Sequence, residues 1–188
     1  MCRRAETSSS VAKLPDAFDC RKIKGVDVQE LEKGLSISLT GPDAERVLAA
    51  CARQIKAWGL VMPPVEPLVL DFGLGQLNRF GLIEYWIANE VQAGYCGKYL
   101  FVFDGQRCPA HSHRVKHETF LLVRGCLRVI LGGEPLVLRP GQVLPVPPGK
   151  VHSFQGEGNS LLLELSMPCE VGDNFFEDAR IMEWLSSF

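Results

Sequence analysis

Histidine is scarce in this chain, and its placement indicates metal chemistry. Four histidines occur among 188 residues, and three of them, His111, His113 and His152, fall in two separated segments, with Glu118 close after the first pair. Neutral imidazole nitrogens and a carboxylate oxygen are accepted ligands of first-row divalent cations. We leave out the fourth, His117, because it adjoins Glu118 and would face the other side of a strand. The sequence therefore predicts a metal site on His111, His113, Glu118 and His152.

The spacing also indicates which elements must position these side chains. One residue separates His111 from His113, so on a strand both imidazoles project from the same face. Glu118 then comes from the next strand or a tight bend, and the Pro-Pro-Gly turn at 147–149 would place His152 on a distant strand. Four such ligands leave positions open on an octahedral ion but close a tetrahedral site. We expect one divalent ion, Mn²⁺ first, with Fe²⁺, Co²⁺, Ni²⁺ or Zn²⁺ as alternatives.

The chain downstream of about residue 67 is typical of β-structure. Short runs rich in β-branched and aromatic residues alternate with turns that contain Gly and Pro, which is the pattern of a jelly-roll barrel. We predict an all-β fold with strands over 68–72, 80–87, 99–103, 118–123, 126–131, 135–138, 142–146, 151–155 and 161–166.

The N-terminal third has a different pattern. We predict that residues 1–66 form an N-terminal extension, disordered at its start, with a strand or short helix over 26–37. A helix at about 42–58 follows, and its apolar face packs on the barrel. Residues 67–188 then form the barrel and a C-terminal segment with a short helix near 180–185, in one compact domain with the extension.

Composition excludes several classes of function. The 20 basic and 22 acidic residues give a net charge of −2, which offers no field to attract nucleic acid or an anionic membrane. No apolar run approaches the ~18–20 residues of a membrane span, and no apolar stretch follows the first two arginines as in a secretory signal. The seven cysteines are an odd number without a Cys-x-x-Cys pair, as expected of reduced thiols. We therefore expect a cytoplasmic protein with a small-molecule partner and neither a nucleic-acid nor a membrane partner.

The candidate ligands lie in two segments that resemble the two motifs of the cupin superfamily. The first motif is Gly, five residues, His-x-His, four residues, Glu, six residues and Gly; the second is Gly, five residues, Pro-x-Gly, two residues and His. The matching residues here are Gly105, His111, His113, Glu118 and Gly125, then Gly141, Pro147, Gly149 and His152. The second motif commonly continues to an Asn where this chain has Gly156, a departure that does not touch the ligands. The resemblance implies a double-stranded β-helix.

Longer stretches are similar to the D-lyxose isomerase family of cupins. The similarity spans about residues 68–182 and is carried by the segments 71–75, 95–103, 105–109, 116–120, 164–166 and 173–181. It implies an isomerase that interconverts an unphosphorylated aldose and its ketose, D-lyxose with D-xylulose and also D-mannose with D-fructose, using Mn²⁺ or a similar ion. It also implies that Lys98 and Lys116 lie near the sugar, and a homodimer is expected because many cupins pair.

Aldose–ketose exchange moves a proton between C1 and C2, which requires a base that reaches both carbons and an acid for the oxygens. Glu164 lies among leucines, where an acidic residue is costly unless it serves a buried polar site. Glu118 can also act as the base through a free oxygen, and a hydride shift remains open. Our candidate catalytic residues are Lys98, Lys116, Glu118 and Glu164. Our candidate sugar-binding residues are Lys98, Asp173 and Arg180.

Other functions share the same ligands. An Fe²⁺ dioxygenase uses three histidines and a glutamate but prefers an apolar or thiol pocket, and a non-catalytic sugar-binding or regulatory cupin uses the ion only to orient a ligand. A phosphosugar isomerase would need a basic or Gly-rich phosphate loop, which does not stand out in this sequence. Ketose formation with Mn²⁺ against oxygen uptake with Fe²⁺ separates the isomerase from the dioxygenase.

Overall fold

The computed structural model of the chain describes residues 28–187, except for the side chain of Val28. The disorder expected at the start of the chain lies outside these residues. The described part contains the α-helices α1 (Val28–Ser36), α2 (Gly41–Ala57) and α3 (Ala179–Leu185), and a 3₁₀ helix at Val171–Asp173. Within residues 28–187, no helix combines the length and apolarity that a bilayer crossing requires.

Two antiparallel sheets carry the strands of the described residues. The six-stranded sheet has the order β1-β2-β3-β10-β5-β8, and the five-stranded sheet has the order β11-β4-β9-β6-β7. The predicted all-β barrel with N-terminal and C-terminal helices is confirmed. The strands are β1 (Leu68–Leu70), β2 (Leu82–Glu90), β3 (Tyr95–Val102), β4 (Arg107–Ser112), β5 (Glu118–Arg124), β6 (Leu127–Leu131), β7 (Glu134–Leu138), β8 (Val143–Val146), β9 (His152–Gly156), β10 (Ser160–Ser166) and β11 (Phe175–Phe176).

Two strands were missing from the sequence prediction, and both have a physical reason. Strand β4 reads Arg-Cys-Pro-Ala-His-Ser, which lacks the β-branched and aromatic residues that mark a strand. It forms because it pairs with β9 and β11. Strand β11 has two residues, too few for a periodic signal.

Helix α2 covers part of the outer face of the six-stranded sheet. Its buried Cys51 and Ile55 pack in one cluster with Ile83, Phe101 and Leu161 of the strands beneath. Burial of each large apolar side chain contributes about 1.5–3 kcal/mol relative to exposure, so this contact holds the helix on the barrel. The helix begins one residue before its predicted start, while the domain boundary set after residue 66 stays a prediction.

The interior of the six-stranded sheet changes from apolar to polar along its strands. On β3, Leu100 and Val102 are buried at one end, and Lys98 is buried on the same face at the other. The antiparallel pairing sets Glu164 of β10 directly opposite Lys98, and Ser166 opposite Glu118 of β5. Because side chains alternate with a period of two along a strand, this register gathers buried charges at one end of the barrel.

Candidate active site and metal centre

The predicted ligands lie at strand ends that meet in the barrel interior. His111 is on β4 directly opposite His152, the first residue of β9. His113 follows the end of β4, and Glu118 is the first residue of β5. All four side chains are buried. The structure therefore brings together the four residues that the sequence predicted, while the exposed His117 stands apart.

Backbone carbonyl groups fix the orientation of each histidine ring. With Nδ1 donating to a carbonyl oxygen, the neutral ring presents the lone pair of Nε2. The Nδ1 atoms of His111, His113 and His152 bond the carbonyl oxygens of Pro109 at 2.9 Å, Asp173 at 2.7 Å and Lys150 at 3.0 Å. Three Nε2 lone pairs are thus available to one cation.

The ligand atoms of His113, Glu118 and His152 face one another in the barrel interior. Nε2 of His113 lies 3.2 Å from Oε1 of Glu118, and Nε2 of His152 lies 3.1 Å from Oε2. Both nitrogens and Oε2 are nevertheless buried without a hydrogen-bond partner, and the ligand nitrogens of the three histidines lie within 4.8 Å of one another. Ligands about 2.1 Å from an ion at right angles stand about 3 Å apart. These orphaned acceptors fit a divalent cation, since leaving them unsatisfied costs free energy.

The electrostatics of the site keep His111 neutral. Its burial, and then the neighbouring His152 and His113, lower the pKa of His111 well below its ordinary value. A neutral imidazole is the form that binds a metal ion. The protein environment therefore favours the ligand form of this ring.

Five buried side chains form a row of alternating charge that ends at the metal ligands. We call the row Glu84, Lys98, Glu164, Lys116 and Glu118 the charge row; its side chains are at most 10% exposed. Lys98 Nζ lies 3.3 Å from Glu84 Oε1 and 3.6 Å from Glu164 Oε2. Lys116 Nζ lies 3.4 Å from Glu164 Oε1 and 2.7 Å from Glu118 Oε1. Each lysine thus lies between two carboxylates.

Both lysines of the charge row hold their protons. Burial opposes the charge of Lys98, but Cys169, Glu164 and Glu84 favour it, and its pKa lies well above the ordinary value. Burial likewise opposes the charge of Lys116, while Glu164 leads the groups that raise its pKa above the ordinary value. Protonated amines donate hydrogen bonds and do not accept protons, so these residues can serve as acids or anchors.

A cavity of about 80 Å³ adjoins the charge row and His111. Its lining combines the charge row with apolar residues such as Leu68, Leu70 and Phe72. The cavity has room for several water molecules and lies next to charged side chains and the unsatisfied ligand atoms. This arrangement is expected of a binding site for a small polar molecule.

Comparison with known proteins identifies the family. The cupin domain family model matches residues 101–167. A D-lyxose ketol-isomerase of a Thermofilum species is 32% identical over 142 residues, 60% of this chain and 77% of the relative. The chain belongs to the D-lyxose isomerase family of cupins. It is a sugar isomerase.

Two further comparisons concern the family and the fold. The D-lyxose ketol-isomerase of Cohnella laeviribosi is 30% identical over 162 residues, covering 69% of this chain and 87% of the relative. The solved L-ribose isomerase of Cellulomonas parahominis matches with a TM-score of 0.63 at 16% identity, over 80% of this chain and 96% of that one. The second likeness shows a shared fold alone.

In this member of the D-lyxose isomerase family, the C-terminal segment supports the candidate metal site. The carboxylate of Asp173 accepts hydrogen bonds from the backbone N–H groups of Arg114, Val115 and Lys116 at 2.9–3.2 Å. The ring of Phe176 stacks on His111, with centroids 5.0 Å apart. The segment therefore fixes the loop between β4 and β5 that carries His113 and Lys116.

The structure does not bring the predicted sugar-binding residues Asp173 and Arg180 into the cavity. The carboxylate of Asp173 is taken up by the loop described above, and the exposed Arg180 side chain bonds Asp178 at 2.6 and 3.0 Å. Neither residue lines the cavity. These contacts give both residues structural partners and do not support the sugar-binding role that we expected.

Sequence reasoning missed Glu84 and Trp86 of β2. The carboxylate of Glu84 accepts a hydrogen bond from Trp86 Nε1 at 2.6 Å and faces Lys98. The signal was present, because Glu84 stands at an inward position in the apolar run Leu-Ile-Glu-Tyr-Trp, as Glu164 does among leucines. A buried carboxylate at such a position needs a polar partner.

Proposed function

We propose that the protein is a metal-dependent aldose–ketose isomerase of unphosphorylated sugars, converting D-lyxose to D-xylulose and also D-mannose to D-fructose. The observation that carries the proposal is the convergence of three Nε2 lone pairs and the Glu118 carboxylate beside a charged cavity. The family relatives support the substrates, since one is a D-lyxose ketol-isomerase and another a D-lyxose/D-mannose isomerase from Thermosediminibacter oceani, 30% identical over 60% of this chain and 77% of the relative.

The metal is the first part of the proposal. His111, His113, Glu118 and His152 would hold one divalent ion, for which we propose Mn²⁺, with Fe²⁺, Co²⁺, Ni²⁺ and Zn²⁺ as alternatives. When bound, such an ion supplies a Lewis acid for the negative charge that develops on the sugar oxygens.

We assign the proton transfer to Glu164. Its oxygens lie 3.6 Å from Lys98 and 3.4 Å from Lys116, and it faces the cavity without contacting a candidate ligand. Glu118 is less suited, because Lys116 occupies Oε1 at 2.7 Å and both oxygens face histidine nitrogens. A carboxylate held between two ammonium groups can take a proton from one carbon and return it to its neighbour.

We assign the two lysines to hydrogen-bond donation. Lys116 Nζ, between Glu118 and Glu164, would donate to the sugar oxygen next to the carbon that Glu164 deprotonates. Lys98 Nζ would hold Glu164 from the other side and donate to a hydroxyl group farther along the sugar. The charge row contains three carboxylates and two ammonium groups, a balance that disfavours a phosphate dianion and supports an unphosphorylated substrate.

A homodimer is the proposed assembly. An apolar row crosses the outer face of the six-stranded sheet, where Val143, Leu121, Leu163 and Tyr99 are cross-strand neighbours. Val143 is 56% exposed, and exposed apolar patches often mark interfaces. Val143→Glu should convert a dimer into a monomer in sedimentation; a wild-type monomer would contradict this assembly.

A cytoplasmic location is also proposed. Cys51, Cys96, Cys108, Cys126 and Cys169 are free thiols, the state that a reducing compartment maintains. Cell fractionation of the native protein tests this location.

Incubation with sugars tests the enzymatic proposal. The Mn²⁺-loaded protein is given D-lyxose, D-mannose and a panel of other aldoses, and ketose is measured by polarimetry and chromatography. We expect D-xylulose and D-fructose, with oxygen uptake absent when the protein is loaded with Fe²⁺. If wild-type protein forms no ketose from any aldose, or consumes oxygen instead, the proposed function is wrong.

A further inference from the structure

Lys98 has a partner on each side, and the strand pairing sets both. On β3 it lies directly opposite Glu164 of β10 and opposite Trp86 of β2. Its Nζ lies 5.4 Å from the centroid of the Trp86 ring and 3.3 and 3.5 Å from the two oxygens of Glu84. The ammonium group is therefore shared between the carboxylates of Glu84 and Glu164.

Glu84 is itself held in place. Trp86 Nε1 donates to its Oε2 at 2.6 Å, and both residues lie on the inward face of β2, two positions apart. An indole donor next to a carboxylate makes a charge-assisted hydrogen bond, which is stronger than a neutral one. Glu84 is thus a fixed anion, against which the flexible chain of Lys98 is positioned.

The geometry has a consequence for the proposed proton carrier. Lys98 Nζ lies 3.3 Å from Glu84 Oε1 and 3.6 Å from Glu164 Oε2, so it makes a close charge-assisted hydrogen bond with neither carboxylate. Because Glu84 draws the ammonium group toward β2, Glu164 is restrained without being locked in a tight pair. Without the charge of Glu84, Lys98 would close on Glu164 and pull its carboxylate from Lys116.

We infer that Glu84 is a positioning residue of the isomerase reaction, which acts through Lys98 to keep the Glu164 carboxylate free to move a proton. The inference rests on the proposed function and adds a residue that does not contact the candidate metal ligands. A purely structural role would predict a loss of stability alone. Direct binding of a sugar hydroxyl group would predict a change in KM.

Glu84→Gln separates these roles, because it keeps the shape of the side chain and an acceptor for Trp86 but removes the charge. We expect kcat to fall about tenfold, KM to stay within about twofold, and metal content to be unchanged. The matched control is Glu157→Gln, which removes a carboxylate paired with Arg128 outside the cavity and should leave kcat unchanged.

A double-mutant cycle with Lys98→Met tests the route of the effect. Because Glu84 acts through Lys98, adding Glu84→Gln to Lys98→Met should cause no further loss of kcat, or a small recovery as an unpaired buried charge is removed. An equal loss of kcat on both backgrounds, an unchanged kcat in Glu84→Gln, or a tenfold rise in KM at constant kcat would each overturn the inference.

A crystal structure of Glu84→Gln gives a readout that does not depend on turnover. The distance from Lys98 Nζ to Glu164 Oε2 should shorten from 3.6 Å to about 2.8 Å. An unchanged distance would refute the inference even if the wild-type protein forms ketose. A shortened distance would support the positioning role of Glu84 even if the wild-type protein forms no ketose. Should Glu84→Gln not fold, Glu84→Asp withdraws the carboxylate from Lys98 by one methylene and should shorten the same distance.

Discussion

Lys116 Nζ lies 2.7 Å from Oε1 of Glu118 and 3.4 Å from Oε1 of Glu164. This amine joins the candidate metal ligands to the carboxylate that we propose as the proton carrier. Lys116 lies outside any strand, in the loop between β4 and β5, and is nevertheless 3% exposed. A charged loop side chain is buried in this way only where it has ionic partners.

Replacement of Lys116 should remove turnover without removing the metal. In Lys116→Met, the amine that donates to the sugar oxygen is lost, and Glu164 keeps Lys98 as its remaining ammonium partner. We expect kcat for aldose conversion to fall at least about a hundredfold, with metal content by elemental analysis near that of the wild type. The exposed Lys56 of α2 provides the control Lys56→Met, which should keep full activity; activity retained in Lys116→Met would contradict the assigned role.

The Asp173 carboxylate should contribute stability that depends on pH. Burial raises its pKa, but the hydrogen bonds from the backbone of Lys116, Arg114 and Val115 lower it, and the result lies below the ordinary value of 3.8. A carboxyl group whose pKa is lower in the folded state stabilises the fold above its unfolded pKa, and this contribution is lost as the pH falls through the folded value.

Asp173→Asn should therefore lower the free energy of unfolding at pH 7 by about 1–1.5 kcal/mol, since solvent screens a partly exposed carboxylate. The difference from the wild type should shrink below about pH 4, as measured by urea denaturation at several pH values. Asp43→Asn is the control, because Asp43 makes only an exposed ion pair with Arg46 and is worth less than about 1 kcal/mol. A difference between Asp173→Asn and wild type that grows toward low pH would contradict this account.

The requirement for glycine at Gly125, a position of the first motif, can be tested against Gly133. Both have a φ of +89°, so alanine is strained at either position. A Cβ at Gly125 would lie 2.7 Å from Ser160 Cα, whereas a Cβ at Gly133 would meet no atom within 4 Å. We expect Gly133→Ala to cost about 1–2 kcal/mol and Gly125→Ala at least about 3 kcal/mol, measured by thermal unfolding. Equal losses would show that the close approach of β10 to this turn is not what requires glycine.

The metal ligands and the barrel could be predicted because short-range patterns encode them. His111 and His113 have a fixed spacing within one segment, and the turn at 147–149 places His152. Strand β4 was the exception, since its pairing with β9 and β11 depends on partners far away in the sequence.

The roles of Asp173 and Glu84 depend on contacts that no local pattern shows, whereas the ion pair of Arg180 is local. Asp173 reaches backbone groups almost 60 positions earlier, and Arg180 is satisfied by its close neighbour Asp178. Glu84 gains its significance from the register of β2, β3 and β10, which sets Lys98 between Trp86 and Glu164. The inward position and the charge of Glu84 could be inferred from the sequence. Its partner, Lys98, could be identified only from the pairing of the strands.

The central claim is that one divalent ion binds to His111, His113, Glu118 and His152. Calorimetric titration of the metal-free protein with Mn²⁺ at neutral pH tests it most directly, with His152→Ala beside the exposed His117→Ala. We expect one site per chain in the wild type and in His117→Ala, and a loss of affinity of at least about a hundredfold in His152→Ala. Equal affinity in His152→Ala and the wild type would contradict the proposed metal centre.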